Sequence, residues 1–210
     1  MESALPSVDP SGSLFVPFPV PRARVHQATH FRSTWLSSSL NALRERGHFE
    51  RYLTLLPSHY HAPILESVAG VWLPIDVATA HYRACDALGL SKRDAWAIGV
   101  EVTRRVHGTS LALAIRLAKQ VGVTPWTVLA QIPRLWDRVW QGGGIAIYKQ
   151  GPKEAVLEVI QWRLSCIPYV RYTMPAVVHG IVEMFCAKAY VTEVRTLTSD
   201  TSLGFRLQWA

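Results

Sequence analysis

The sequence predicts an α+β protein in which an N-terminal helical half precedes a ββαββ unit that forms a four-stranded antiparallel sheet. Apolar residues recur at helical spacing from about 30 to 140, three glycines follow at 142–144, and the spacing then changes to alternation. The clearest alternation sets Leu203, Phe205, Leu207 and Trp209 against Gly204, Arg206 and Gln208. It predicts a strand with one buried face and one face in water.

The first 28 residues predict an extended arm. They contain five prolines and the stretch FVPFPVP, which suits neither a helix interior nor a central strand. Its apolar residues favour packing against the rest of the chain or against a neighbouring subunit. We therefore expect an arm at 1–28 and a single α+β domain at 29–210, divided into a helical half at 29–141 and a ββαββ half at 142–210.

The helical half divides at its capping and breaking residues. Glycines end two of the predicted helices, and Ser91 with Asp94 has the form of a capping box. Thr124 and Pro125 suit the start of the last helix, which Pro133 should kink. The expected helices cover about 30–46, 48–56, 77–88, 92–106, 110–121 and 125–140.

Short strands and one long helix make up the predicted ββαββ half. The segment KQGPKE has turn residues at its centre, and TSDTS is a second turn. A broad apolar face at helical spacing predicts the helix between the two hairpins. The expected order is a strand at 145–149, a strand at 155–162, a helix at 168–188, a strand at 190–197 and a strand at 203–209.

Composition places the chain among packed globular proteins, with 210 residues, 49% hydrophobic and 18% charged. No apolar stretch reaches the roughly 18 residues of a membrane span, and the N-terminus lacks the pattern of a secretion signal. These features predict a cytoplasmic protein without a membrane span. The three cysteines are widely spaced in apolar patterns, which is typical of buried thiols.

The net charge of +7 is concentrated between 91 and 140, which holds eight basic and three acidic residues. A basic surface can attract nucleic acid or an acidic partner. This gives an alternative function, a binding module that uses Arg104, Arg105, Arg116 and Lys119. Charged residues on helices also commonly just face water.

No motif predicts a catalytic residue or a metal site. The sequence lacks GxSxG, a P-loop and GxGxxG, and its eight histidines are scattered apart from His59 and His61. His179 precedes Glu183 by one helical turn, so the two side chains can pair on one face. An enzyme with a site near His179 is a further alternative, and a histidine satisfied at the edge of the core is the simpler interpretation.

Aromatic residues gather at the predicted joint between the helices and the sheet. Such residues usually form core, but joints between lobes are also where concave apolar pockets form. The leading hypothesis is a non-enzymatic sensor or adaptor that binds a small apolar or aromatic ligand, or a partner protein, and that is expected as a homodimer. The candidate ligand-binding residues are Trp136, Trp140, Tyr169, Tyr172, His179 and Phe185.

Three long segments carry a resemblance to a family of single-domain proteins that is abundant in myxobacteria. They are FRSTWLSSSLNALRERGHFERYLTLLP, VWLPIDVATAHYRACDALGLSKRDAWAIGVEVTRRV and PRLWDRVWQGGGIAIYKQGPKEAVLEV. The likeness covers about 30–210 and rests on patterning. It lends no established activity.

In element order alone the chain also resembles the 4-vinyl-reductase-type ligand domains and the heme-nitric-oxide-binding domains. In the second group a histidine before the first hairpin holds heme iron, and a Tyr-x-Ser-x-Arg motif grips the propionates. Here the helix at 125–140 has no histidine, and the motif is absent. These two departures from the family make heme improbable, and we expect no cofactor.

Overall fold

The structure is a computed structural model that describes residues 12–105 and 124–210. The predicted helix at 110–121 lies outside these ranges. The helices are α1 (Ser33–Glu45), α2 (Phe49–Leu55), α3 (His61–Leu65), α4 (Ile75–Ala87), α5 (92–105 in its described part), α6 (Pro125–Leu129), α7 (Ile132–Val139) and α8 (Pro168–Glu183). The strands are β1 (Ser13–Val16), β2 (His30–Arg32), β3 (Trp72–Pro74), β4 (Trp140–Gln141), β5 (Gly144–Gly151), β6 (Glu154–Ile160), β7 (Ala189–Glu193) and β8 (Ser202–Trp209).

The α+β class is confirmed, and β5, β6, α8, β7 and β8 form the predicted ββαββ order. The main sheet differs by one strand, because its order is β1-β5-β6-β8-β7 with every neighbouring pair antiparallel. The extra strand comes from the arm, where Ser13 lies opposite Lys149. Its residues fall between Pro10 and Pro17, so an edge strand that is paired on one side can form there.

A second, three-stranded sheet lies among the helices in the order β3-β2-β4. The sequence did not predict it. Phe31 lies opposite Leu73 on one side and Trp140 on the other, so β2 is held in extended form. The helix expected from residue 30 therefore begins at Ser33, because pairing with distant strands overrides the helical period of the first residues.

Two proline and glycine signals near residue 140 act more strongly than expected. Pro133 lies in the first turn of α7, and it separates α6 from α7 instead of kinking one helix. Gly142 and Gly143 have φ angles of 84° and 65°, which L side chains rarely adopt. The chain turns there from α7 and β4 into β5.

The predicted cap at Ser91 is confirmed, since the Asp94 backbone N–H donates to Ser91 Oγ at 3.1 Å.

One face of the main sheet packs against the helices. Ile147, Leu157 and Phe205 lie side by side across β5, β6 and β8, and all three belong to the main core together with residues of α1, α4 and α8. These residues are the inward members of the predicted alternation. The sheet thereby supplies the floor on which α7 and α8 lie.

The other face of the sheet was expected to meet water, and only part of it does: Gln208 is exposed and Arg206 is half-buried, but the centre of this face is covered. Val156 is fully buried and Glu158 is 3% exposed on this face. The arm lies over it, with Phe18 and Val25 beside Gly144, and Leu197 lies against Gly204 near the other edge. Small residues at these two strand positions let the covering segments approach closely.

Arg22 of the arm pairs with the buried Glu158, with Nη1 to Oε2 at 2.7 Å. Tyr148 Oη donates to the same carboxylate oxygen at 3.4 Å. We expect Arg22→Ala to lower the free energy of unfolding by about 1–3 kcal/mol, because it leaves a buried charged acceptor poorly satisfied. Urea unfolding measures the loss. Arg24→Ala is the matched control, and equal losses in both variants would contradict the role of this pair.

Candidate functional site

An apolar pocket, which we call the main pocket, lies at the joint between the helices and the main sheet. Its volume is about 410 Å³, within the range of small-molecule sites. Most of its wall is apolar and comes from α7, α8 and the inner face of the sheet. The lining residues are Arg32, Thr34, Trp35, Gly70, Ile132, Leu135, Trp136, Arg138, Val139, Trp140, Ile145, Val159, Met174, Val177, Val178, Ile181 and Phe205.

Two arginines supply the positive charge at the solvent-facing edge of this pocket. Arg138 is exposed, and it has no ion pair within the described ranges. Arg32 stacks on the Trp72 ring, with its guanidinium carbon 4.0 Å from the ring centroid. The pocket therefore combines an apolar interior with a cationic edge, which suits an apolar molecule carrying an acidic group.

The loop at 66–71 forms another part of the edge and is fixed by four hydrogen bonds. Ser33 Oγ donates to the Val68 carbonyl at 2.7 Å and accepts from the Val71 N–H at 3.0 Å. The Ser33 N–H donates to the Val71 carbonyl at 3.0 Å, and Arg32 Nη1 donates to the Gly70 carbonyl at 2.6 Å. Val68 is nevertheless 71% exposed. The loop thus holds an apolar side chain in water beside the pocket.

Three tryptophans form one cluster behind the pocket. Trp136, Trp140 and Trp162 have ring centroids 5.2–5.7 Å apart. Trp136 Nε1 donates to the Gly142 carbonyl at 3.1 Å, so the glycine turn also satisfies an indole of the cluster. Trp136 and Trp140 line the pocket, whereas Trp162 is fully buried behind them.

The structure brings two of the six predicted ligand residues, Trp136 and Trp140, to the main pocket. Tyr169 is buried and lines a smaller cavity of about 30 Å³ instead. Tyr172 lies under Lys92, whose Nζ is 5.2 Å from the ring centroid. Phe185 packs with Val128, Val177 and Ile181. Pocket residues that the sequence analysis missed include Arg32, Trp35 and Met174.

His179 lies on the α5 side of α8 and outside the lining of the main pocket. Its ring packs edge-on against Trp96 at a centroid distance of 5.3 Å. Its Nδ1 lies 3.8 Å from Glu183 Oε2, so the two side chains are neighbours as expected, but no hydrogen bond joins them. The geometry suits a histidine at the edge of the core.

The predicted basic patch is described only in part. Arg104 is exposed. Arg105 pairs with Glu45 and with Glu101, the latter at 3.1 Å, so two carboxylates surround its charge. Arg116 and Lys119 lie outside the described residues.

A buried polar network, which was not predicted from the sequence, crosses the helical half. Tyr52 Oη and His81 Nδ1 share a hydrogen bond of 2.8 Å, and His81 Nε2 and Ser39 Oγ share one of 2.9 Å. Burial lowers the pKa of His81 to about 3, so the ring is neutral at pH 7. Burial also raises the pKa of Cys85, whose Sγ lies 3.7 Å from His81 Nε2. The sequence signal that could have revealed the network is one polar residue on the apolar face of each of three helices: Ser39 on α1, Tyr52 on α2 and His81 on α4.

The smaller cavity is lined by Trp162 and Tyr169. Trp162 Nε1 is buried without a hydrogen-bond partner within the described residues, and the buried Tyr169 hydroxyl interacts with the Cys85 thiol. The cavity volume of about 30 Å³ is enough for one water molecule. Burial raises the pKa of Tyr169, so its hydroxyl is neutral and can donate or accept. Trp35, Met174 and Val177 line both this cavity and the main pocket.

The described ranges lack both a metal-binding cluster and a membrane-spanning helix. Residues 12–105 and 124–210 contain no group of three or more His, Cys, Asp or Glu side chains placed to hold a metal ion. Within the same ranges, no helix has both the length and the apolar character that crossing a bilayer requires.

No protein-family model matches the chain, and no curated protein matches it in sequence. Solved structures do match it in fold. The Fe(II) unliganded H-NOX protein from K. algicida matches with a TM-score of 0.61 at 8% identity, over 85% of this chain and 96% of that chain. An oxygen-binding H-NOX domain related to soluble guanylate cyclases matches with a TM-score of 0.53 at 10% identity, over 85% and 94%. An H-NOX structure from work on heme distortion matches with a TM-score of 0.52 at 11% identity, over 85% and 94%.

These matches overturn the expectation that the chain takes no cofactor. The expectation rested on a missing histidine and a missing Tyr-x-Ser-x-Arg motif, yet the fold is that of H-NOX domains, and heme is named for one of them. The described pocket can be tested for fit. Met174 supplies the one thioether of the lining, a group that holds heme iron in some proteins, and Arg32 and Arg138 suit acidic groups.

Proposed function

We propose that this chain is a small-molecule-binding sensor domain whose main pocket takes a flat apolar molecule with an acidic edge, heme being the first candidate. The observation that carries the proposal is the main pocket, apolar inside and bordered by Arg32 and Arg138. The H-NOX-like fold supports it. In this proposal the sensor has no catalytic step.

Each part of the pocket has a distinct role in the proposal. Trp35, Trp136 and Trp140 provide flat apolar surface against a ring system. Arg32 and Arg138 pair with carboxylates at the edge of the ligand. Met174 is the residue that would hold an iron atom. Heme, when bound, would supply an iron that takes a gaseous ligand.

Tryptophan fluorescence reports binding directly, because three tryptophans line the pocket. We expect hemin and iron-free protoporphyrin IX each to quench it in a saturable titration. Val178→Phe narrows the pocket and should weaken both affinities at least about tenfold, equal to about 1.4 kcal/mol. Val20→Phe, on the exposed part of the arm, is the matched control. Equal quenching in both variants, or none in the unaltered protein, would refute binding in this pocket.

A second pair of variants separates the iron from the ring. Met174→Leu keeps the apolar volume and removes the sulfur, so it should change the absorbance spectrum of bound hemin while leaving protoporphyrin affinity within about twofold. Arg138→Gln should weaken both ligands. An unchanged hemin spectrum in Met174→Leu would mean that Met174 does not hold the iron.

The homodimer, the protein partner and the kinship with the myxobacterial family stay predictions. So does the division into an arm at 1–28 and one domain at 29–210. Sedimentation of the purified chain with and without hemin measures the subunit number.

A further inference from the structure

A cleft lined by both apolar and polar residues lies on the far side of α4 from the buried histidine network. Its volume is about 650 Å³, and it shares no lining residue with the main pocket or the smaller cavity. One wall comes from the loop after α2 and from α4, and the other comes from the turns at 163–166 and 200–201. The lining residues are Leu55, Pro57, Tyr60, Ile75, Asp76, Thr79, Ala80, Arg83, Ala84, Arg163, Cys166, Asp200 and Thr201.

The two walls are fixed by different parts of the chain. On the first wall, Asp76, Thr79 and Arg83 follow one another at helical spacing along one face of α4. On the second wall, the Trp162 N–H donates to the Thr201 carbonyl at 2.9 Å, and Ser165 Oγ donates to the Trp162 carbonyl at 2.8 Å. A group bound between the walls would therefore meet two rigid supports.

Each wall contributes one guanidinium group to the cleft. Neither the Arg83 guanidinium nor the Arg163 guanidinium has a hydrogen bond or an ion pair with any residue of the described ranges, although Asp76 and Asp200 line the same cleft. Asp76 is engaged elsewhere, since its Oδ1 accepts from the Val77 N–H at 3.0 Å and its Oδ2 from Tyr60 Oη at 3.4 Å. Both planar donors thus remain available for an oxyanion from solution.

We propose that this cleft is a second ligand site, for a small polar molecule that carries a phosphate or a carboxylate group. Arg83 and Arg163 hold the oxyanion from opposite walls. Asp200 and Thr201 accept hydrogen bonds from hydroxyl or amino groups on the rest of the ligand. The proposal is independent of heme binding, because the two sites have no lining residue in common.

Cys166 gives a local readout, since its exposed thiol lines the cleft, whereas Cys85 is buried. The neutral reagent iodoacetamide alkylates Cys166, and mass spectrometry of its peptide gives the rate. With inorganic phosphate or succinate at about 10 mM, against chloride at equal ionic strength, we expect at least one oxyanion to slow alkylation about threefold or more. Protection by phosphate alone or by succinate alone identifies the preferred group.

The variants Arg83→Gln and Arg163→Gln should each reduce this protection, and the double variant should abolish it. Arg195→Gln, an exposed arginine outside the lining, should keep it. Each variant is compared with itself in chloride, so a changed thiol reactivity does not enter the ratio. The proposal is overturned if neither phosphate nor succinate slows alkylation of Cys166, or if the protection persists in the double variant.

Discussion

Replacing Trp162 with alanine is expected to lower the free energy of unfolding by about 3–5 kcal/mol. The side chain is fully buried and contacts both Trp136 and Trp140 behind the main pocket. The surrounding sheet and helices can close the resulting space only in part. For a chain of this length the loss corresponds to a Tm lower by roughly 6–20 °C, which calorimetry measures.

A control variant separates burial from loss of an aromatic ring as such. Tyr190→Ala removes a large ring that is 50% exposed on the edge strand β7, and it should cost less than about 1 kcal/mol. Trp162→Phe should fall between the two. If Trp162→Ala unfolds at the same urea concentration as Tyr190→Ala, the tryptophan cluster is not part of the stabilising core.

Lowering the pH from 7 to 5 is expected to destabilise the protein by about 2 kcal/mol through His81 alone. Its pKa is about 3 in the folded chain, and an unfolded histidine has a pKa near 6.5. At pH 5, His81 is therefore protonated in the unfolded state and neutral in the folded state. The contribution of neutral His81 to stability is fully present above the unfolded pKa, and it is lost as the pH falls from about 6.5 toward 3. Urea unfolding at pH 7, 6 and 5 gives the slope.

The neighbouring groups should not contribute to that slope. Burial raises the pKa of Tyr52, Tyr82 and Cys85, so all three stay neutral below pH 7. His81→Gln should flatten the dependence between pH 7 and 5, whatever its stability at pH 7. His59→Gln, at an exposed histidine, should keep the slope. Parallel pH profiles for the wild-type protein and His81→Gln would contradict the buried neutral histidine.

Local patterns were enough to predict the class of the fold and its order of elements. The switch at 142–144 follows from backbone chemistry, because Gly142 and Gly143 adopt left-handed angles. The pairing of β1 with β5 could not be read in the same way. It joins residues more than a hundred positions apart, and no local period of the arm distinguishes an edge strand from a free extended segment.

The candidate site was predicted as a place more accurately than as a set of residues. Trp136 and Trp140 were found because the apolar helical period continues up to the joint, although Trp140 itself lies on β4, just past the end of α7. Tyr169 and Tyr172 belong to the neighbouring helix α8, and Phe185 lies just past its end; the pocket-facing side of α8 consists instead of Met174, Val177, Val178 and Ile181. Which side of a broadly apolar helix meets a cavity depends on how it is rotated against its neighbours, and the sequence period does not fix that rotation.

Covering of the main sheet by the arm also has a consequence for folding during synthesis. Arg22 and Glu158 are 136 residues apart, and β1 pairs with a strand of the last third of the chain. The arm leaves the ribosome long before its partners exist, and it carries Phe18 and Val25, which lie against Gly144 of the sheet in the finished protein. Interrupted translation would leave these side chains without a docking surface, so truncated chains should aggregate or recruit chaperones more readily than the finished protein.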